Sequence, residues 1–158
     1  IKAFFSGRCQ AYTTDASALA FIRSKEAPVP DDYLVLPEII SKEPLGPAVR
    51  RGDDEWFAIV KWTLNALIEA EELGITQARV HSLKASPDPA VQRFLGVGED
   101  LGKSLGLDRE WAARAVKAVG NYGEIFNRNV GADSPLKLPR GLNAQWNKGG
   151  ILYAQPLR

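Results

Sequence analysis

The 158 residues carry 20 Lys and Arg against 19 Asp and Glu, with 45% hydrophobic content, one Cys, one His and no Met. A charge balance so close to neutral gives no field that favours nucleic acid or an anionic membrane, and the length suits one ordinary globular core. One cysteine excludes an internal disulfide and any multi-cysteine metal site, so neither a disulfide scaffold nor a zinc module is expected.

The chain opens on Gly7-Arg8-Cys9-Gln10-Ala11-Tyr12-Thr13-Thr14-Asp15. Residues 9–14 read as a short strand, and the Ala16-Ser17-Ala18-Leu19-Ala20-Phe21-Ile22 run as a helix with an apolar face. The pair describes a βα unit whose partner strands lie elsewhere. Cys9 reads as a small buried residue of that strand; in an extracytoplasmic protein an unpaired thiol points instead to a partner outside this chain. The sequence begins at Ile1 and contains no Met, so the start reads as either a processed end or a cut inside a longer protein, of which the cut is expected. It shows no secretory leader, no apolar run long enough to span a bilayer and no glycosylation sequon.

Lys25 to Asp32 is a polar connection, Tyr33-Leu34-Val35-Leu36 a short buried strand stopped by Pro37, and Glu43-Pro44-Leu45-Gly46-Pro47 a punctuation that marks a lobe boundary. Ala48-Val49-Arg50-Arg51 reads as a further brief strand. Asp53 to Leu73 is a helix with acidic residues in its first turn and Gly74 past its end. Trp56, Val60, Leu64, Leu67 and Ile68 share one face, which needs a sizeable apolar partner at roughly 1.5–3 kcal/mol per buried side chain. Ser86-Pro87-Asp88-Pro89 opens a short helix through Leu95. Asp108 reads as the N-cap of a second long helix ending near Asn129, with Trp111, Ala115, Val119, Tyr122 and Phe126 on its apolar face. Gly120 and Gly123 mark close packing or a bend in it. A last helical turn at 142–146 precedes an irregular tail.

Several motifs fall to ordinary structural explanations. Gly98-Glu99-Asp100-Leu101-Gly102-Lys103-Ser104 has three residues between its glycines where a phosphate loop needs four, and reads as a turn. Ser134-Pro135-Leu136-Lys137 puts a proline where a nucleophile and its lysine need a helical turn. His81, without a nucleophile or further ligands, reads as a surface residue. The carboxylates Asp53, Asp54, Glu55, Glu69, Glu71 and Glu72 sit at helix ends or solvated faces. Arg50 and Arg51 read as capping residues paired with Asp53 rather than as an anion site. Asp15 has two readings that stay open: a helix N-cap, or a carboxylate that accepts charge-assisted bonds from a ligand ammonium.

The stretch 7–15 resembles the second-lobe strand of periplasmic polar amino-acid-binding proteins, the substrate-binding subunits of ABC transporters. The likeness continues through Ile39 to Arg50, Asn121 to Phe126 and Gly141 to Gly150, and is strongest to the general L-amino-acid-binding members. The resemblance implies an α/β fold: a fragment of the two-lobe type II periplasmic binding protein, helix-rich in its C-terminal part and about half the length of the whole. On that pattern residues 1–43 are the C-terminal part of the second ligand-binding lobe. Residues 44–158 are the return strand, a first-lobe helix and a C-terminal helical segment.

The same resemblance implies a non-enzymatic module without cofactor or metal, located in the periplasm. Its partners are an L-amino acid held between the lobes and the permease subunits that receive it. Asp15 takes the place of the residue that binds the α-ammonium, while the groups gripping the carboxylate lie in the other half. Position 10, usually Asp in this motif, is Gln10. The chain alone is expected to bind amino acids weakly or not at all, and exposed strand edges allow a fragment dimer. Two rival readings are an enzyme on the same scaffold, a lytic transglycosylase or a dehydratase, and a self-standing helical interaction domain built from residues 44–158.

Overall fold

The computed structural model describes residues 1–157, and the chain divides into two compact units. One comprises residues 1–46 with 128–139, the other 47–127 with 140–157.

In the first unit α1 (Lys2–Phe5) is a single turn and α2 (Ala16–Lys25) the one long element. Ala and Leu carry α2, and Arg23 and Lys25 in its last turn complement the negative end of the helix dipole. Ile22 is its buried residue. The Arg23 guanidinium pins the following turn, donating from Nε to the Pro30 carbonyl at 3.0 Å and lying 3.6 Å from Asp31. Phe4, Phe5 and Tyr33 cluster with ring centroids 5.1 to 5.5 Å apart.

The strands expected at 9–14, 33–36 and 48–51 do not form ladders. Among the described residues the pairing of β type is one isolated parallel bridge between Gln145 and Leu152. The backbone is nonetheless extended at Tyr33, with φ −119° and ψ 128°. A β-propensity is realised only when neighbouring strands take up the alternating N–H and C=O groups, and these segments meet none. Cys9 is therefore exposed rather than buried in a strand.

The second unit is built on α3 (Asp54–Glu72), whose N-cap Asp53 accepts from the Trp56 amide at 3.0 Å. Gly74, at φ 66°, supplies the left-handed residue that ends it, and the Ile75 amide turns back to the Ala70 carbonyl at 2.8 Å. Ala66 and Ala70 are fully buried on the side facing α5 (Trp111–Val119), where small side chains let the two helices approach closely. Ile75, Val80, Leu95 and Val116 fill the core between them, with α4 (Pro89–Phe94) closing it through Val91 and Phe94. Asp88 caps α4 by accepting from the Ala90 amide at 2.8 Å.

The single helix expected over 108–129 is two, α5 and α6 (Tyr122–Asn129). Gly120, at φ 83° and ψ 176°, leaves the helical region and breaks the ladder. Asn121 restarts it with a reciprocal cap: its Oδ1 accepts from the Glu124 amide at 3.0 Å, and Glu124 Oε2 accepts from the Asn121 amide at 2.9 Å. Asp108 accepts from the Glu110 amide before the helix rather than capping it, so α5 starts at Trp111. Freed from α6, α5 buries Trp111, Ala112, Ala113 and Val116; Val119, expected on that face, is 43% exposed.

The tail is tied down along α3. Gln145 Nε2 donates to the Ile68 carbonyl at 3.0 Å, and the amides of Gln155 and Leu157 donate to Asn65 Oδ1 at 2.8 Å and Glu69 Oε2 at 3.0 Å. Residues 65, 68 and 69 lie on one helical face, so a segment without regular structure is held in register by a regular one. The turn expected at 142–146 is two separate 3₁₀ turns, Gly141–Asn143 and Trp146–Lys148.

Candidate functional site

Asp15 stands immediately before α2, at φ −54° and ψ 143°, and its carbonyl accepts the first helical bond from the Leu19 amide at 2.8 Å. Its side chain makes no capping hydrogen bond, so of the two readings the side-chain N-cap is not realised. The carboxylate of this half-buried residue is thus an acceptor not consumed by its own helix. It sits at the N-terminal end of α2. An ionised Asp accepts at about four lone-pair positions, and an ammonium offers three donors. A cation brought to this point can bond the carboxylate without displacing a cap.

The other polar constellations serve the fold. Glu71 and Arg140 form a bidentate pair, both bonds 3.0 Å, with side chains 12% and 22% exposed. Arg140 also donates to the Asn143 carbonyl from Nε at 3.1 Å and Nη2 at 2.8 Å, and its guanidinium lies over Phe126 at 5.0 Å and Tyr122 at 5.6 Å. Sequence reading missed this cluster. It placed Glu71 on a solvated face, and no local signal links residues so far apart.

Glu124 additionally accepts from the Gln77 amide at 3.0 Å, and Asn121 Nδ2 donates to the Ile75 carbonyl at 2.9 Å. Gln77 Nε2 reaches the Lys117 and Ala118 carbonyls at the end of α5. Its carboxamide therefore caps the helix that Gly120 terminates. Here the Asn-x-x-Glu spacing was a readable capping-box signal.

The remaining sequence candidates stay apart from any site. His81 is exposed, and Glu72 accepts from Trp146 Nε1 at 3.3 Å. Ser134 is buried with its hydroxyl donating to the Gly131 carbonyl and accepting from the Leu136 amide, a local turn. Asp100 accepts from the Lys103 amide, which makes the 98–104 glycine segment an ordinary capped turn. Arg50, Arg51 and Asp53 line an open polar depression, but among the described residues neither arginine pairs with Asp53 as expected. Asp53 instead caps α3 through the Trp56 amide. No group of three metal-ligating side chains occurs among the described residues, and none of their helices is long and apolar enough to cross a membrane.

No protein-family model matches the chain. It is 61% identical over 158 residues to the general L-amino acid-binding periplasmic protein AapJ of Rhizobium johnstonii, covering 99% of this chain and 46% of that protein. It is 52% identical to the glutamate/glutamine/aspartate/asparagine-binding protein BztA of Rhodobacter capsulatus, with 98% and 46% covered. A solved ABC transporter periplasmic binding protein from Brucella ovis, with glutathione bound, superposes at a TM-score of 0.92 and 56% identity, covering 99% of this chain and 49% of that one. The chain spans about half the length of the curated relatives it matches. Alignments that span nearly every residue of this chain at 52–61% identity bear out the resemblance read from the sequence: the chain is homologous to one half of the periplasmic amino-acid-binding proteins of ABC transporters.

Proposed function

We propose that this chain is the C-terminal half of an extracytoplasmic amino-acid-binding subunit of an ABC importer, with Asp15 binding the ligand α-ammonium. The whole protein encloses an L-amino acid between two lobes in the periplasm and hands it to the permease. Residues 1–43 belong to the second lobe; residues 44–158 supply the return strand, a first-lobe helix and the C-terminal helical segment. The observation that carries this reading is the identity above half over the whole chain to proteins named for amino-acid binding.

The geometry of Asp15 supports the site assignment, since the residue is half-buried and its carboxylate makes no cap. A charge-assisted bond of this kind contributes roughly 1.5–3 kcal/mol. One carboxylate secures one end of a zwitterion only, so the chain by itself is a weak binder. Binding rather than catalysis is the reading favoured by the relatives, which are named as binding proteins.

The test is calorimetry with L-Glu, L-Gln, L-Asp and L-His. Against the 158-residue chain no one-to-one micromolar binding is expected. Against a single-chain chimera, in which this chain replaces the matching stretch of the Rhizobium protein, one-to-one binding of at least one of them is expected. A folded chimera that takes up none of these ligands contradicts the proposal.

A further inference from the structure

The chain passes between its two units more than once. It runs from the first to the second between Gly46 and Pro47, returns between Asn127 and Arg128 in the last turn of α6, and comes back between Pro139 and Arg140. Residues 128–139 are therefore an excursion that leaves the second unit and belongs to the first. The excursion is closed on itself. The Leu138 amide donates to the Val130 carbonyl at 3.0 Å, the buried Ser134 hydroxyl donates to the Gly131 carbonyl, and Lys137, at φ 52°, donates from Nζ to the Ala132 carbonyl. A compact loop whose ends lie together and whose interior is bonded moves as one body.

Both feet of the excursion meet at one side chain. Arg140, the first residue after the return, lies over the rings of Phe126 and Tyr122 on the outgoing helix, and its fork grips Glu71 of α3. Its two bonds to the Asn143 carbonyl hold the guanidinium from the other side. A Cβ at Gly123 would stand 2.8 Å from Glu71 Cδ and 3.1 Å from Arg140 Nη1, so the ion pair rests directly on the α6 backbone. Arg140 thus ties α6, α3 and the returning chain, all within the second unit, at the place where the chain departs and comes back. The other passage is built in the opposite way. Among the described residues Gly46 and Pro47 take no part in backbone hydrogen bonds, and glycine supplies the conformational freedom that the proline ring lacks.

We infer that Arg140 is a positioning residue for ligand enclosure: it pins the feet of the 128–139 excursion to the second unit, so that the first unit swings about this point and the loose Gly46–Pro47 passage. The proposal rests on the functional reading above, in which the protein encloses an L-amino acid between its lobes. A hinge is a few element-terminal residues that absorb the change in backbone angles while the bodies on either side stay rigid. One pinned passage and one free one restrict that change to a swing. Without the pin the ligand-free protein samples more orientations, the closed one becomes a smaller fraction of them, and the observed affinity falls by that fraction. The liganded form, held shut by the ligand itself, is unchanged. The planar fork is what the role requires, since it bonds a carboxylate at two points and stacks on two rings at once.

The experiment is double electron–electron resonance on the single-chain chimera, with spin labels on Lys25→Cys in α2 and Lys117→Cys in α5 and every other cysteine replaced by Ser. Without ligand, Arg140→Ala is expected to widen the distribution of label-to-label distances about twofold, and Arg140→Lys, the milder variant, to widen it in the same direction by less. With saturating L-amino acid the distribution of Arg140→Ala returns to that of the parent chimera, while calorimetry shows an affinity weaker by about fivefold or more. Gly102→Ala disturbs the same unit away from the passages, by driving a Cβ against the Asp108 carbonyl, and is expected to leave width and affinity unchanged. Ligand-free widths of both Arg140 variants equal to the parent's overturn the inference. So does a Gly102→Ala that broadens the distribution as much as Arg140→Ala, since the effect is then general loosening. Because the widths are compared without ligand, a chimera that binds no amino acid contradicts the functional proposal and leaves this comparison to decide on the pin.

Discussion

Replacing Arg140 with Ala removes the cation that neutralises Glu71 and leaves the carboxylate, 12% exposed, with a hydrogen-bond deficit. Exposed ion pairs are worth about 0–1 kcal/mol, while breaking a buried pair from one side costs about 3–5 kcal/mol. The Glu71–Arg140 pair lies toward the buried limit. Arg140 also gives up two bonds to the Asn143 carbonyl and its stacking on Phe126 and Tyr122. A cost of roughly 2–4 kcal/mol follows. Arg140→Lys keeps the charge but not the fork or the planar stack, and is expected to cost roughly half as much.

Urea unfolding followed by circular dichroism measures this as a lower midpoint at unchanged slope; with a slope of about 1–3 kcal/mol/M the shift for Arg140→Ala is on the order of 1–2 M. Adding Glu71→Gln removes the orphaned charge, so the double variant should lose less than the sum of the single losses. A loss below about 0.5 kcal/mol for Arg140→Ala, or strict additivity in the cycle, would refute the buried-pair reasoning.

Three further outcomes follow from the geometry. Gly102→Ala places a Cβ against the backbone carbonyls of Asp108 and Leu107, and is expected to cost more than about 2 kcal/mol in thermal unfolding. Gly106→Ala, at φ 67° but in open space, should cost only about 1–2 kcal/mol; equal losses at the two sites would contradict the close approach. Asp108 is expected to titrate below its ordinary 3.8: desolvation pushes it up, but the hydrogen bond from Arg114, the Glu110 amide and the charge of Arg114 together bring it down. Its contribution to stability is thus present above that ordinary value and lost as the pH falls through the lower, folded one. Carbon-13 titration of the Asp108 carboxyl should show this, with Arg114→Gln moving the midpoint upward.

Local features were legible. Asp53 and Gly74 bracket α3 because capping and chain reversal depend on residues within one turn of the helix end. Asp88-Pro89 started α4 for the same reason. The break at Gly120 was half legible: glycine signalled a bend, but the Asn121–Glu124 cap that makes it two helices requires reading the spacing across the break. Strand propensity at 9–14, 33–36 and 48–51 was a correct statement about side chains and an incomplete one about structure. Strands are completed by partners distant in sequence, and the described residues provide none.

The same distance dependence hid the Arg140–Glu71 pair and the strap of Gln155 and Leu157 along α3. Their sequence separations carry no local pattern. For Asp15 the sequence left a cap and a ligand site open; the structure shows the capping position without the capping bond. The carboxylate is left available, which is a condition for the ligand reading.

The most direct measurement is the affinity of the single-chain chimera for its preferred L-amino acid before and after Asp15→Asn. The amide retains size and a hydrogen-bond acceptor but loses the charge that pairs with the α-ammonium. A loss of roughly 10- to 150-fold is expected by calorimetry, the equivalent of about 1.5–3 kcal/mol, with the fold intact by circular dichroism. An unchanged affinity would contradict the placement of the α-ammonium at Asp15.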